Sequence, residues 1–468
     1  MTPLWTSTEL VAATGGTLHG APFDVSGVTF DSREVEPGHL FIAMPGTVAD
    51  GHDFVARAMA SGASGAIVSR SMDGPHILVP DVAAALTAIA IAARERMTGT
   101  VIGVTGSVGK TSTKEALYAA LERGARGRVH RSVKSYNNHT GVPLSLARMP
   151  RESLYAVLEM GMNHAGEIAA LTRLVRPHIA LVTTIAAAHM EHLGSLEAIA
   201  DAKGEIFEGL EEDGVAIIPE DSPWRDRLVR AARDRADRTI TFGNGEADVA
   251  ALHAVEAGAG GSLVTARLAA SDLTFTIAQR GDHWVMNALA VLAAVEAAGA
   301  DLAIAGLALG DMGGLPGRGA RHQVPIGDGS FLLIDESYNA NPASMVATLK
   351  SLGEERIEGR RIAVLGPMRE MGEAGPAAHA ALAPAVIAAG VVRLILVGDE
   401  MRPLADALAD GPAVIDRVAT IDAAETMLRA AIGPGDAVLV KASNSIGLAR
   451  LVAAMAGGEG LDSLPARP

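Results

Sequence analysis

The chain has 468 residues, a length that exceeds one ordinary hydrophobic core and predicts about two to four domains. It contains no cysteine, which excludes disulfides, zinc–thiolate sites and thiol nucleophiles. A formal charge of −15 argues against a general nucleic-acid binder, and a 49 % hydrophobic content with only 3 % aromatics predicts α/β layers filled by Val, Leu, Ile and Ala.

In chain order, residues 1–10 lack a basic region followed by an apolar one, so no secretion signal is read. Short strands are expected over 25–30 and 40–44, with Asp31-Ser32-Arg33 between them, then a helix over 54–62 and a strand over 65–69. An alanine-rich helix over 81–97 follows; its apolar run is too short to span a membrane. From about residue 99 the pattern alternates strand and helix as in a parallel sheet, with strands over 101–104, 155–159, 179–184 and 215–218. An added antiparallel sheet is expected around 248–277, a helix over 283–297 and an interdomain joint in the glycine-rich stretch 313–319. Strands over 331–335, 361–365, 394–397 and 437–440 then restart the alternation, and the tail after Gly457 reads as frayed. The pattern divides into units 1–98, 99–315 and 316–468, in a cytoplasmic protein without membrane insertion.

The chemistry concentrates first in Val101-Ile-Gly-Val-Thr105-Gly106-Ser107-Val-Gly109-Lys110-Thr111-Ser112, an apolar strand emptying into a glycine loop before a helix. Such a loop aims backbone N–H groups and a helix N-terminus at one place, which suits a polyphosphate. Lys110 would reach the β- and γ-phosphates and Thr111 would ligate Mg²⁺. The common phosphate-loop pattern puts a glycine where Val104 stands, so the spacing is unusual. Lys110, Lys114, Lys134, Lys203, Lys350 and Lys441 are the only lysines; elsewhere arginine is used, which cannot replace an amine that must lose its proton.

Other polar groups follow strand ends. Glu159 is sited as a Mg²⁺ ligand or as a surface loop carboxylate. His189 reads as a metal ligand or an ordinary loop histidine. Lys203, near Asp201 and Glu205 on a helical pattern, reads by itself as a solvated salt bridge. His283 and Asn287 lie one turn apart; the carboxamide suits an adenine edge or simply an outward polar face. The run from Asp335 to Ser344 packs two carboxylates, a phenol and two amides into one loop after a buried strand.

Together these motifs resemble the Mur ligase family of ATP-dependent amide-forming enzymes of peptidoglycan synthesis. That family opens its nucleotide loop with Thr-Gly-(Thr/Ser)-x-Gly-Lys-(Thr/Ser), as at Thr105–Thr111, which accounts for the unusual glycine spacing. Asn137-Asn138-His-Thr-Gly141, Glu159-Met-Gly161-Met-Asn163, Ala202-Lys203-Gly-Glu205 and above all Tyr338-Asn339-Ala340-Asn341-Pro342 are similar to the subtype that adds D-Ala-D-Ala to a UDP-MurNAc-tripeptide. The Asp-Asn-Pro-Arg string of the diaminopimelate-adding members is absent. The resemblance implies three domains: an N-terminal UDP-substrate-binding α/β domain, a central ATPase domain with a mostly parallel sheet, and a C-terminal Rossmann-like domain, acting as a monomer. It implies ATP and Mg²⁺ as cofactors, with Thr105, Gly106, Ser107, Gly109, Lys110, Thr111 and Ser112 around the phosphates. Asn138 or Asn137 would stand near the γ-phosphate, Asn287 at adenine, Arg318 at the γ-phosphate, and Asp335, Tyr338 and Asn339 at ribose and base. Thr111 and Glu159 would hold one Mg²⁺; His189 and a carbamylated Lys203 would hold the second. Ser32, Arg33 and Asn341 are expected to contact substrates. Glu336 replaces the family's usual aspartate, and Ala442 and Asn444 depart from its late Lys-Gly-Ser pattern, so acceptor contacts there stay open. Two other readings remain: a sister ligase with a different acceptor, and a P-loop switch or motor, for which the Asp31-Ser32-Arg33 region has no evident use.

Overall fold

The computed structural model describes residues 2–46, 49–187, 190–257 and 261–457. Three principal sheets follow one another along the chain, of five, nine and six strands. Among the described residues, no helix is long and apolar enough to cross a membrane.

The first sheet runs, in spatial order, Thr17–His19, His76–Leu78, Gly65–Val68, His39–Ile42, Gly27–Thr29, with only the first strand antiparallel to its neighbour. The expected strand over 25–30 is broken at Ser26: Asp24–Val25 instead pairs with Trp5–Thr6 in a separate two-stranded ribbon. Along His39–Ile42 the side chains alternate faces, Leu40 and Ile42 toward one apolar layer and Phe41 toward the other. The Leu40 layer also takes in Leu144 and Ala147 of the helix Gly141–Ala147, and the Trp5 indole donates to the Ala147 carbonyl at 2.8 Å. The helix Val82–Arg96 serves both units: Leu86 and Ile89 pack under the first sheet, Ala90 under the second. Buried Arg94 of that helix donates to the carbonyls of Val175 and Arg176 at 2.8 and 2.7 Å.

In the nine-stranded sheet, Thr100–Thr105 lies between Ile179–Val182 and Tyr155–Glu159, all parallel. Both faces are covered, as a parallel sheet requires. Ile102 and Val104 pack against the helices Lys110–Ala125 and Asp282–Ala297, while Val101, Ala156 and Leu158 face the layer containing Glu167–Val175 and Leu196–Gly204. The antiparallel region near 248–277 is not a separate sheet. Val249–Glu256 joins Arg238–Gly243 in parallel, and Ser262–Arg267 and Asp272–Ile277 extend the same sheet antiparallel. Successive strands fall on opposite sides of Thr100–Thr105, which makes its C-terminal end a topological switch point, where open α/β sheets bind ligands.

The last sheet is ordered Ala320–Ile326, Gly329–Glu336, Ala437–Lys441, Arg361–Leu365, Val391–Val397, Val414–Val418. Ala320–Ile326 is antiparallel and the others parallel. Ala363 and Leu365 pack on Met345 and Leu349 of Pro342–Gly353; Ile362 and Val364 face Leu428 and Leu451 on the other side. Its strands aim their C-terminal ends, Glu336 and Lys441, at the switch point of the central sheet.

Candidate active site

A cavity of about 540 Å³ lies where the central and last sheets face each other. Its floor is the loop after Thr100–Thr105. Gly106 adopts φ +147°, and a Cβ there would overlap the Thr183 hydroxyl oxygen; Gly109 adopts φ +86°, and a Cβ would come within 2.8 Å of the Asn287 carboxamide oxygen. Both positions therefore require glycine. Gly109 is also the N-cap of Lys110–Ala125 and supplies no capping side chain, so first-turn N–H groups are left for an anion. The Ser107 hydroxyl is buried without a hydrogen-bond partner among the described residues, as a donor meant for a ligand would be.

Lys110 folds back to donate to the Gly106 carbonyl at 2.7 Å, and burial lowers its ammonium pKa, with Glu159 opposing and Arg318 assisting. The Thr111 hydroxyl donates to Glu159 Oε2 at 2.8 Å, and the Asn137 amide donates to Glu159 Oε1 at 2.7 Å. Glu159 itself is 1 % exposed, which removes its reading as a surface carboxylate. The set formed by Thr111 and Glu159 is one of hard oxygens at the end of a phosphate cradle, the chemistry that Mg²⁺ prefers when phosphates complete its shell. These residues fit nucleotide and metal together.

Of the two neighbouring asparagines, Asn137 holds Glu159, whereas the Asn138 oxygen accepts from the Thr140 and Gly141 backbone at 3.2 and 2.9 Å. Both line the cavity, as do Asn287 and His283 from the helix Asp282–Ala297. Burial holds the His283 imidazole down at about 4, with Lys441 assisting, so it is neutral at physiological pH.

Lys203 is the largest departure from a residue-level reading. It is completely buried, and its ammonium nitrogen has no hydrogen-bond partner among the described residues. The solvated salt bridge is ruled out: Asp201 pairs with Arg227 at 2.7 Å, and the Glu205 carboxylate accepts from the Gly166 and Ala169 backbone at 2.7 and 3.1 Å. Burial drives the Lys203 pKa well below that of a free lysine, and the like charge of Lys110 pushes the same way against Glu159, Glu205 and Glu167.

The opposite wall comes from the last unit. Arg318 stacks on the Tyr338 ring with its guanidinium carbon 4.1 Å from the centroid, and it donates to the Ser135 hydroxyl at 3.4 Å. Asp335 lies behind this wall: it accepts from the Gly317 N–H at 2.7 Å and from the Ser337 N–H and hydroxyl at 3.1 and 2.6 Å, which shapes the loop. Glu336 and Lys441 approach at 3.5 Å; burial raises the carboxyl and lowers the ammonium, and Lys441 also donates to the Asn339 carbonyl at 2.9 Å. The Asn339 side-chain oxygen accepts from Ala340 N–H. Asn341 lines the cavity, but its side chain is the N-cap of Pro342–Gly353, in a reciprocal capping box with Ser344.

Thr105 stands behind the cradle, its hydroxyl donating to the Met160 carbonyl at 2.8 Å, and Ser112 lines the cavity. Ser32 and Arg33 are outside the cavity; Arg33 forms a 2.6 Å ion pair with Asp31, whose carboxyl is held at about 2 chiefly by that contact. His189 lies outside the described residues. Sequence reasoning passed over Ser135, whose hydroxyl stands 3.3 Å from that of Thr111 as well as against Arg318. Only the neighbouring Lys134, one of six lysines, hinted at that segment.

A phosphate cradle, a buried carboxylate beside its threonine, and a second α/β unit closing over both define a P-loop enzyme that works between domains. Models of three Mur ligase domains match the chain in order: the Mur ligase family catalytic domain over residues 24–100, the Mur ligase middle domain over 104–295, and the Mur ligase glutamate ligase domain over 320–444. The chain is 35 % identical to the UDP-N-acetylmuramoyl-tripeptide–D-alanyl-D-alanine ligase of Escherichia coli K12, covering 96 % of this chain and 98 % of that one. It is 35 % identical to the Bacillus subtilis enzyme of the same name, with 93 % and 95 % covered. Among solved structures, MurF from Acinetobacter baumannii superposes with a TM-score of 0.83 at 29 % identity over 97 % of this chain and 99 % of that one. MurF from Thermotoga maritima in complex with ADP gives 0.75 at 26 %, covering 92 % and 97 %. The chain belongs to the Mur ligase family.

Proposed function

We propose that the protein is the ATP-dependent ligase that adds D-alanyl-D-alanine to UDP-N-acetylmuramoyl-tripeptide, giving the pentapeptide precursor, ADP and phosphate. The observation that carries this is the single cavity in which Lys110, Thr111 and Glu159 of one unit face Arg318 and Tyr338 of another. The names of the relatives, at 35 % identity over nearly the whole chain, supply the substrates.

In this reading the terminal carboxylate of the tripeptide attacks the γ-phosphorus, ADP leaves, and the acceptor amine displaces phosphate from the acyl phosphate. Lys110 and Arg318 flank the transferring group and neutralise charge as it moves to the leaving oxygen. Mg²⁺, when bound, supplies further charge neutralisation at the phosphates. Thr111 and Glu159 would hold one ion, and His189 and Lys203, through a carbamate, would hold the second. Asn138 or Asn137 stands near the γ-phosphate, and Asn137 also orients Glu159. Asn287 faces the base and Asp335 shapes the ribose wall. Closure of the last unit excludes water, which would otherwise hydrolyse the acyl phosphate. The units 1–98, 99–315 and 316–468 divide this work as precursor, nucleotide and acceptor domains, with Ser32 and Arg33 on the precursor. A nucleotide-linked precursor and both cavity walls within one chain support a cytoplasmic monomer.

The acceptor is the sharpest part of the assignment. With UDP-MurNAc-tripeptide and ATP, D-Ala-D-Ala should support turnover, while meso-diaminopimelate, L-lysine and glutamate should not. Preference for a single amino acid would move the protein to a sister ligase.

A further inference from the structure

Lys114 sits one turn past Lys110 and is fully buried, yet it never reaches the cavity. Its ammonium has three partners: the Ser132 carbonyl at 2.9 Å, the Lys134 carbonyl at 2.6 Å and the Glu115 carboxylate at 2.9 Å. Glu115 is held in turn by Arg131 at 3.0 Å, and the Arg131 guanidinium lies 3.5 Å over the Tyr118 ring. All of this ties the helix Lys110–Ala125 to the chain leaving the strand Val129–Arg131. At Lys134 the backbone enters the left-handed region, φ +54°, rare for a residue with a side chain. Its carbonyl is one of the two that Lys114 grips, so the ammonium offsets the strain where it arises.

What this short segment carries explains the effort. The Ser132 hydroxyl accepts from the Glu159 N–H at 3.0 Å. The Ser135 hydroxyl meets both Thr111 and Arg318. Asn137, two residues on, holds Glu159. The Lys134 side chain pairs with Glu34 of the first unit, next to Ser32 and Arg33. All three units therefore meet at residues 132–135. An ammonium projects three donors into separate directions, matching two carbonyls and a carboxylate; a planar guanidinium does not. Lysine is kept here in a chain that otherwise prefers arginine.

We infer that Lys114 is a positioning residue for the metal–triphosphate end of the site, acting by holding residues 132–135 so that Ser135 and Asn137 register Thr111, Glu159 and Arg318. The inference rests on the nucleotide reading above. It is separable from it, because the lysine is not asked to touch nucleotide.

The test is calorimetric binding to the full chain of two probes, a non-hydrolysable ATP analogue with Mg²⁺ and ADP in chelator. Lys114→Met should weaken the magnesium–analogue complex about 10–100-fold, as loss of an orienting partner does at metal sites. ADP without metal should change by no more than about twofold. Lys114→Arg should not rescue. Ser135→Ala, whose side chain is only half-buried, should shift the analogue in the same direction, and adding it to Lys114→Met should produce little further loss. Equal weakening of both probes, rescue by arginine, additive losses or an unchanged Ser135→Ala would each overturn the inference. Should Lys114→Met fail to fold, Lys114→Arg decides by the same comparison of the two probes: selective weakening of the magnesium–analogue complex supports the inference, and wild-type binding of both overturns it. A wild-type chain that binds neither probe would contradict the nucleotide reading itself.

Discussion

Lys203 shows how far one side chain's surroundings can decide its chemistry. A fully buried ammonium without a hydrogen-bond partner among the described residues is a costly group, and burial shifts it toward the neutral amine. A neutral amine captures CO₂; a guanidinium does not. The sign of the linkage follows. Because the folded-state pKa is depressed, the stability tied to this group is complete above the unfolded value of about 10.4 and is lost as pH falls toward the folded value. The carbamylation proposed above would remove that ammonium. Lys203→Arg is therefore predicted to be nearly inactive, and Lys203→Ala to recover part of its turnover when a short carboxylic acid is added. Degassed, bicarbonate-free buffer should lower wild-type turnover and added bicarbonate should restore it. An arginine variant with most of its activity, measured by ADP release, would return Lys203 to a structural role. The residue pattern marked Lys203 for inspection because lysine is scarce, but nothing in a one-turn spacing reveals that Asp201 and Glu205 turn to other partners.

At the scale of elements, the strand–loop–helix of the cradle was legible because its signals coincide: a buried apolar run, glycines at forced φ, and a helix beginning at Lys110. Strands with weak burial contrast were less so. Val129–Arg131 is three half-buried residues on a sheet edge, while Val249–Glu256, expected as strand, is exposed along most of its length and gave no sign that it joins the central sheet in parallel. Ala320–Ile326 alternates, but Arg321, Gln323 and Pro325 take its outer face and His322 interrupts the inner one, so its apolar signal is weak. The polar run after Asp335 was recognisable as a site, yet much of its polarity is local architecture, with Asn341 the clearest instance. Asn341→Ala should lose about 0.5–2 kcal/mol of stability, the worth of an N-cap, seen as a lower Tm or denaturation midpoint. KM for the acceptor should hold. An acceptor KM that rises without loss of stability would instead make Asn341 a substrate contact.

For the whole molecule, function depends on two sheets presenting their C-terminal strand ends to one cavity. Arg318, proposed above to act at the γ-phosphate, bridges the joint: it leaves the last unit, stacks on Tyr338 and reaches Ser135 of the central one. Other links between these units include exposed pairs such as Lys350–Asp282 and Arg356–Glu256, both at 2.6 Å, which are worth little singly and are screened by salt, and a more buried Arg280–Glu355 contact at 3.8 Å. Arg318→Ala should accordingly lower kcat about 10²–10³-fold, the usual loss for a transition-state donor, while binding of the UDP-linked precursor stays unchanged in calorimetry. Loss of precursor binding in step with kcat would assign Arg318 to docking of the units.

The most direct measurement for the whole account is ADP release with UDP-MurNAc-tripeptide and ATP, with and without D-Ala-D-Ala. The account predicts sustained ADP release and a product heavier by one dipeptide residue only when all three are present. Steady ATP hydrolysis indifferent to both the precursor and the dipeptide would contradict it, and would describe a nucleotide switch or motor.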